Sequence, residues 1–299
     1  MQYLWNTYSN ALLKLDKSSQ KYIQKFNGID DKSNEFSLLK ENGFIVYEHL
    51  DEFGRICFEE KQSLFTYNAD TLSFIIAPGM KCNYNCSYCF ESKSDLSGIM
   101  QPEVACDVAD YICQRLRNNP NARRLRVTWF GGEPLLYVNI VEIISHKLIE
   151  FTKQNNIKYY ASIITNGRFL NSKTLSKLQE FCVTKAQITV DGMRELYCIS
   201  KGALPNDFDC VIDNICNAAD KIKISVRLNI PNNVDVVKEA IDITNYLFSE
   251  RGLFGKVHVY LAYVCDYSLF TRRCMESLLR FFAELFQMDR FFVRELWHF

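Results

Sequence analysis

The sequence predicts an α/β protein built on a sheet of parallel strands. From residue 72 onward, short apolar runs alternate with amphipathic segments of helical period, which gives six strand–helix units. Strands separated by helices favour parallel pairing through right-handed crossovers. Six units are too few to close an eight-stranded barrel. With 299 residues, 48% of them hydrophobic, the chain is long enough for one such domain and a small appendage.

The elements of this region can be placed in chain order. Residues 72–77 form the first apolar strand, which Pro78-Gly79 ends. Pro102 opens the first helix, because a proline there gives up only an N–H group that would have no partner. Further strands are predicted at residues 125–130, 159–165, 186–190, 223–230 and 257–264. Further helices are predicted near residues 139–151, 172–182, 207–219, 234–250 and 274–288.

The first 66 residues do not join this alternation and predict a small α+β module. Strands at 3–5 and 12–15 form a hairpin, a short helix covers about 19–25, and a strand at 44–47 follows the turn Asn42-Gly43. This pattern is hairpin-plus-helix or winged-helix-like. A DNA-binding winged helix would be basic. These 66 residues contain eight Lys or Arg and ten Asp or Glu, a net charge of −2, which disfavours DNA binding.

These patterns set the predicted domain boundaries. Residues 1–68 form the N-terminal module, 69–290 form the barrel-like domain, and 291–299 form a C-terminal tail.

The formal net charge is zero, so we expect no nucleic acid and no membrane as partners. The 12 cysteines do not look like a disulfide framework, and free thiols fit a cytoplasmic protein. We find no signal peptide and no apolar run of membrane-spanning length.

Three cysteines form the most informative motif: Cys82, Cys86 and Cys89, with the spacing Cys-x3-Cys-x2-Cys. A cubane iron–sulfur cluster normally takes four thiolates, so three protein ligands would leave one iron with an open coordination position. A structural zinc knuckle and a chance grouping in a Cys-rich chain are the alternatives. Zinc usually takes four ligands with paired spacing.

The cysteine run, with the aromatic Tyr88 before its last cysteine, resembles the signature of the radical S-adenosylmethionine (SAM) enzymes. The resemblance implies a 4Fe-4S cluster on Cys82, Cys86 and Cys89, with SAM chelating the open iron. It further implies reductive cleavage of SAM to a 5′-deoxyadenosyl radical. It places Tyr88 beside the adenine, and it implies a partial (βα)6 barrel, in agreement with the six units counted above.

A second motif, Phe130-Gly131-Gly132-Glu133-Pro134, follows the second strand of the barrel. Two glycines let a backbone approach a ligand closely, and Glu133 could pair with an ammonium group. The segment resembles the family's Gly-Gly-Glu motif, which implies that Gly131, Gly132 and Glu133 face the methionyl end of SAM. Without that context, the segment would be read as an ordinary turn.

Three further candidates lie at the ends of later strands. Asn166 and Asp191 occupy strand-end positions that resemble those of peptide and sulfatase maturases, which implies a role toward SAM or substrate, with Asp191 as a possible base. Asn-Gly and Asp-Gly are also common turn formers. Arg227 shares one strand face with Asn229 and could hold a carboxylate, or else form an ion pair at the strand edge.

The C-terminal region offers no strong candidate for a functional site. A single histidine such as His258 is more often structural than a ligand, and Cys265 with Cys274 would make a poor second cluster site without two more thiols. The SPASM-type maturases that this chain resembles usually carry a further domain with cysteines for auxiliary clusters. The chain ends soon after its sixth predicted helix without such an extension, so we expect a fragment or a shortened relative.

The function predicted from these motifs is a radical SAM enzyme that abstracts hydrogen from a peptide or protein substrate. The resemblance implies a ferredoxin or flavodoxin as electron donor. It also suggests that the N-terminal module binds a leader peptide as an added strand, with a barrel-capping appendage as the alternative. Two other classes of protein are the alternatives: an iron–sulfur electron-transfer or sensor protein, and a catalytically silent peptide-binding partner.

Overall fold

The structure of the chain is a computed structural model. It describes residues 2–6, 12–26, 33–64, 70–89, 91, 98–231 and 234–262. The chain divides into two compact units, Met1–Tyr67 and Asn68–Phe299. The predicted helix at 274–288, the tail at 291–299, and Cys265 and Cys274 lie outside the described residues.

The N-terminal unit contains a hairpin and three helices within its described residues. Strands β1 (Gln2–Trp5) and β2 (Leu12–Leu15) pair antiparallel, and helices α1 (Lys17–Lys25), α2 (Asn34–Glu41) and α3 (Glu52–Leu64) follow. These strands and α1 confirm the predicted hairpin and first helix. Side-chain caps from Asp16 and Ser33 start α1 and α2, because each accepts a hydrogen bond from an otherwise unpaired backbone N–H.

The predicted strand at residues 44–47 is wrong. The backbone N–H groups of Phe44 and Ile45 both donate to the carbonyl of Leu39, at 2.8 Å and 3.3 Å. These bonds satisfy a carbonyl in the last turn of α2, so the segment closes a helix instead of pairing in a sheet. Helix α3, which follows, was not predicted.

The second unit contains a parallel sheet of six strands within the described part of the chain. The strands run in sheet order: β3 (Thr71–Ile76), β4 (Arg124–Trp129), β5 (Lys158–Thr165), β6 (Val183–Val190), β7 (Lys223–Leu228) and β8 (Val257–Leu261). Every neighbouring pair is parallel. The α/β class and the parallel sheet are thereby confirmed, in agreement with a partial barrel.

Helices connect these strands. They are α4 (Pro102–Arg117), α5 (Val138–Gln154), α6 (Ser172–Glu180), α7 (Arg194–Lys201), α8 (Pro205–Ala219) and α9 (Val236–Asn245), which continues into a π-helical turn. The short helix α7 was not predicted. No helix among the described residues combines the length and apolarity needed to cross a membrane.

The core lies between the sheet and these helices. Along β6, Ala186, Ile188 and Val190 are buried against the helices, whereas Gln187 and Thr189 alternate with them on the other face and are half-buried. The same alternation repeats along β4 and β7. One face of the sheet therefore packs the core, and the other presents polar groups.

Candidate active site

A cavity of about 420 Å³ lies where the carboxyl ends of the strands meet the loop that carries Cys82, Cys86 and Cys89, called here the cysteine loop. Its lining combines residues of that loop with residues from the ends of β4 to β7. They are Cys82, Tyr84, Cys86, Tyr88, Cys89, Glu91, Phe130, Gly131, Gly132, Ile164, Thr165, Asn166, Gln187, Thr189, Lys201, Arg227 and Asn229. The carboxyl ends of parallel strands are the usual place for a ligand in such folds.

The loop that carries the cysteines is held by three neighbouring segments. The backbone N–H of Glu133, after β4, donates to the carbonyl of Lys81 at 3.0 Å. The side chain of Asn166, after β5, donates to Asn83 Oδ1 at 2.9 Å. The backbone N–H of Asn85 donates to the carbonyl of Lys201, at the end of α7, at 3.0 Å. The loop is therefore fixed by backbone and amide hydrogen bonds that do not involve its thiols.

The three thiols fit the donor set of an iron–sulfur cluster. Cys82, Cys86 and Cys89 all line the one cavity, and burial raises the pKa of the Cys82 and Cys86 thiols. Among the described residues, no three Cys, His, Asp or Glu side chains converge closely enough to hold a single metal ion. Thiolates of a cluster bind different iron atoms, so they need not converge in that way.

The two glycines after β4 are required by the cysteine loop itself. A Cβ atom on Gly132 would lie 2.4 Å from the carbonyl oxygens of both Met80 and Lys81. Gly131 has a φ of +107° and would place a Cβ atom 2.6 Å from the carbonyl oxygen of Gly79. Side chains at these positions would force the loop away. The glycines thus allow the close approach of the loop backbone, and their predicted contact with SAM stays a prediction.

Glu133 lies beneath the cavity and does not line it. Its side chain is fully buried, and its carboxylate accepts hydrogen bonds from Leu135 N–H at 2.9 Å, from the Thr165 hydroxyl at 2.7 Å and from Asn166 N–H at 2.8 Å. Burial raises the pKa of Glu133, and these three donors oppose that rise. In this arrangement Glu133 joins the end of β4 to the end of β5, and its pairing with SAM stays a prediction.

Asp191 is likewise buried, in a cluster of donors. Its carboxylate accepts hydrogen bonds from the Tyr88 hydroxyl and from the Ser200 hydroxyl at 2.9 Å, and Lys201 Nζ lies 3.2 Å from Asp191 Oδ1. The side chains of Lys201 and Asp191 are 2% and 0% exposed. Burial, and after it the Asp191 charge, raises the pKa of Tyr88. A base must reach the substrate, but Asp191 is buried behind the wall of the cavity and does not line it.

Arg227 lines the cavity from β7, three strands away from the glycines that follow β4. Its Nε donates to Asn229 Oδ1 at 3.0 Å, and both residues line the cavity, although Asn229 lies just beyond the end of β7. Among the described residues no ion pair joins Arg227 to an acidic side chain. On the neighbouring strand β8, the Tyr260 hydroxyl donates to Gln187 Oε1 at 2.7 Å.

The structure brings most of the predicted site residues into one cavity: Cys82, Cys86, Cys89, Tyr88, Gly131, Gly132, Asn166 and Arg227. Glu133 and Asp191 lie behind its wall. Sequence reasoning missed Lys201, Gln187 and Thr189. The alternation along β6 could have indicated Gln187 and Thr189, whereas a lysine at the end of an unpredicted helix gave no such signal.

Comparison with known proteins identifies the family. The family model of the radical SAM superfamily matches residues 76–242, more than half of the chain. The chain therefore belongs to the radical SAM superfamily. Members of this family use a 4Fe-4S cluster and S-adenosylmethionine, which fits the three thiols on the cavity.

Two curated relatives match parts of the chain. It is 26% identical over 209 residues to the radical SAM cyclopropyl synthase TigE of Paramaledivibacter caminithermalis, over 60% of this chain and 43% of the relative. It is 31% identical over 174 residues to GTP 3′,8-cyclase of Limosilactobacillus fermentum, over 56% of this chain and 47% of that protein. The chain thus spans less than half the length of these relatives.

Solved structures share the fold. The enzyme anSMEcpe with bound AdoMet superimposes with a TM-score of 0.59 at 20% identity, over 74% of this chain and 62% of that one. Streptococcus suis SuiB bound to the precursor peptide SuiA gives a TM-score of 0.53 at 14% identity, over 96% and 67% of the two chains. At these identities the likeness establishes the fold alone.

Proposed function

We propose that this protein is a radical SAM enzyme that abstracts a hydrogen atom from a peptide or protein substrate. The observation that carries the proposal is the shared cavity, where the three thiols of one loop meet polar side chains from β6 and β7. An electron-transfer protein would be expected to supply four thiolates and to need no such pocket. Free thiols among the described residues fit a reducing cytoplasm.

The thiols of Cys82, Cys86 and Cys89 would hold the cluster and leave one iron open for SAM. When bound, this pair of cofactors supplies the 5′-deoxyadenosyl radical. The chain itself fixes the loop at the ends of β4 and β5 and at α7, so its three thiols would present the cluster to the cavity. Electrons would come from a ferredoxin or flavodoxin.

A peptide substrate is supported by several features. One curated relative is the radical SAM cyclopropyl synthase TigE, and SuiB, which shares the fold, has been solved with its precursor peptide bound. The wall of the cavity farther from the Gly131-Gly132 turn is polar, with Gln187 and Thr189 on β6, Arg227 on β7 and Asn229 just after β7. Since no ion pair joins Arg227 to an acidic side chain in the described part of the chain, its guanidinium would be available to a carboxylate of the substrate, which it could hold in bidentate geometry.

Asp191 is a candidate base only after a rearrangement. Its oxygens accept hydrogen bonds from Tyr88 and Ser200. Proton transfer from substrate to Asp191 would require at least Tyr88 to move aside. Asp191 therefore serves first to hold the cysteine loop, through Tyr88.

The test is an anaerobic assay of the full chain. Protein reconstituted with iron and sulfide, then given SAM and dithionite, should release 5′-deoxyadenosine, detected by mass spectrometry. Cys86→Ala should lose the product and part of its iron. Cys106→Ala, which alters an exposed cysteine on α4, should lose neither. Wild-type protein with a full cluster and no product would contradict the enzyme proposal.

The substrate class needs a separate measurement. A short peptide encoded beside the gene, synthesised with deuterated side chains, should transfer deuterium to 5′-deoxyadenosine. Arg227→Gln should weaken turnover of an acidic peptide more than turnover of the same peptide with Asp and Glu replaced by Asn and Gln. Equal losses on the two peptides would contradict the assignment of Arg227.

A further inference from the structure

The side chain of Asn166 is locked in one orientation by its hydrogen bonds. Its Oδ1 accepts the backbone N–H of Arg168 at 3.0 Å, which fixes which end of the amide is oxygen. Its Nδ2 then donates to Asn83 Oδ1 at 2.9 Å and to Cys82 Sγ at 3.8 Å. The oxygen is used within the turn, and the two amide hydrogens point at the cysteine loop.

The turn that carries Asn166 is itself braced from below. The backbone N–H of Asn166 donates to Glu133 Oε2 at 2.8 Å. The buried side chain of Asn214, on α8, donates to the carbonyl of Gly167 at 2.9 Å. Asn166 is thus held by a buried carboxylate on one side and a buried amide on the other, so its contact with Cys82 is positioned by elements outside the loop.

A hydrogen bond to a cysteine sulfur has a known consequence when that sulfur binds an iron–sulfur cluster. The donor stabilises negative charge on the sulfur, and the reduced cluster carries one electron more than the oxidised cluster. Hydrogen bonds to the sulfurs therefore raise the reduction potential. This effect requires no contact with SAM or with substrate.

We infer that Asn166 is a positioning residue that tunes the cluster through its hydrogen bond to Cys82 Sγ. The inference rests on the proposed function, because it needs a cluster on the three cysteines. Its amide N–H raises the reduction potential of that cluster, which makes the cluster easier to reduce by the external donor. Glu133 acts one step further back, by holding the turn of Asn166.

The experiment is a redox titration of the reconstituted full chain without SAM, followed by the electron paramagnetic resonance signal of the reduced cluster. Asn166→Ser keeps an oxygen that can accept the Arg168 N–H but is too short to reach Cys82. Asn229→Ser is the matched control, because Asn229 lines the same cavity and no hydrogen bond joins it to a cysteine sulfur in the described part of the chain.

At one fixed potential, we expect Asn166→Ser to lower the ratio of reduced to oxidised cluster about tenfold, which is ~59 mV for one electron. Asn229→Ser should leave the ratio unchanged, and iron content should equal that of the wild type in both. An unchanged ratio in Asn166→Ser with full iron, or an equal shift in Asn229→Ser, would overturn the inference.

Asn166→Asp provides a second test if the serine variant loses iron. It preserves the size and the turn but replaces the donor with a charged acceptor. Its midpoint potential should fall below that of Asn229→Asp, and an equal fall in the two would overturn the inference. Failure of the proposed function would look different, because the wild-type protein would then release no 5′-deoxyadenosine from SAM whatever the potential of its cluster.

Discussion

The hydroxyl of Tyr88 lies 2.9 Å and 2.8 Å from the two carboxylate oxygens of Asp191. This contact joins the cysteine loop to the residue that follows β6, more than a hundred positions later in the chain. Lys201 Nζ lies 3.2 Å from the same hydroxyl, so a tyrosine, a carboxylate and an ammonium group form one buried cluster. The loop is therefore anchored by its side chains as well as by its backbone.

Removing the Tyr88 hydroxyl should destabilise the protein. Tyr88→Phe leaves the ring in place but takes one donor from a buried carboxylate, and we expect a loss of about 2 kcal/mol in the free energy of unfolding. Urea denaturation measures it. Tyr111→Phe, on an exposed side chain of α4, is the control and should change little. Equal effects of the two variants would contradict the anchoring role of Tyr88.

The pair of Lys201 and Asp191 should be strongly coupled. Lys201→Met leaves the Asp191 charge buried without its cation, at a cost of about 3 kcal/mol or more. The double variant with Asp191→Asn should recover part of that loss. The exposed pair of Lys256 and Asp220 provides the control, and Lys256→Met should cost less than about 1 kcal/mol. Simple additivity of the two buried substitutions would argue against the pairing.

The close approach at Gly132 predicts a steric effect on cofactor loading. Gly132→Ala would push its Cβ atom against the backbone of Met80 and Lys81, so the cysteine loop must shift. We expect iron per chain after reconstitution to fall by at least half relative to the wild type. Gly98→Ala is the matched control, because no atom lies within 4 Å of its added Cβ. Normal loading of Gly132→Ala would refute this explanation of the glycine.

Glu133 should matter for stability even without any cofactor. Glu133→Ala leaves three buried donors, from Leu135, Thr165 and Asn166, without their acceptor. At about 1 kcal/mol or more for each unsatisfied group, unfolding of the apo protein should become easier by roughly 3 kcal/mol. Glu180→Ala, on the surface of α6, should stay within about 0.5 kcal/mol. An apo protein of unchanged stability would restrict Glu133 to a role in ligand binding.

The sheet could be predicted because each strand carries a strong local signal. Apolar runs of strand length alternate with helical periods, and this fixes both the number of strands and their parallel pairing. The failures occurred where tertiary contacts override local pattern. Residues 44–47 are apolar enough for a strand, but the N–H groups of Phe44 and Ile45 bond to the last turn of α2. Helix α7 has only eight residues, too few for its period to stand out.

The candidate site was predictable in its composition but not in its arrangement. The cysteine spacing and the strand-end motifs pointed to residues that do line one cavity. A sequence does not reveal which polar groups turn inward, so it could not show that Glu133 and Asp191 accept hydrogen bonds from buried protein donors. Lys201 was missed for the same reason, since only the folded chain shows that this lysine is buried beside Asp191.

Helix α7 has a mechanical consequence. The carbonyls of Ser200 and Lys201 hold the N–H groups of Ser87 and Asn85, at 3.0 Å each, while the Lys201 side chain reaches the cavity. A small tilt of α7 would therefore displace two things together: the segment that carries the thiols and the ammonium group of Lys201. One short helix therefore couples the position of the thiol segment to that of the Lys201–Asp191 pair.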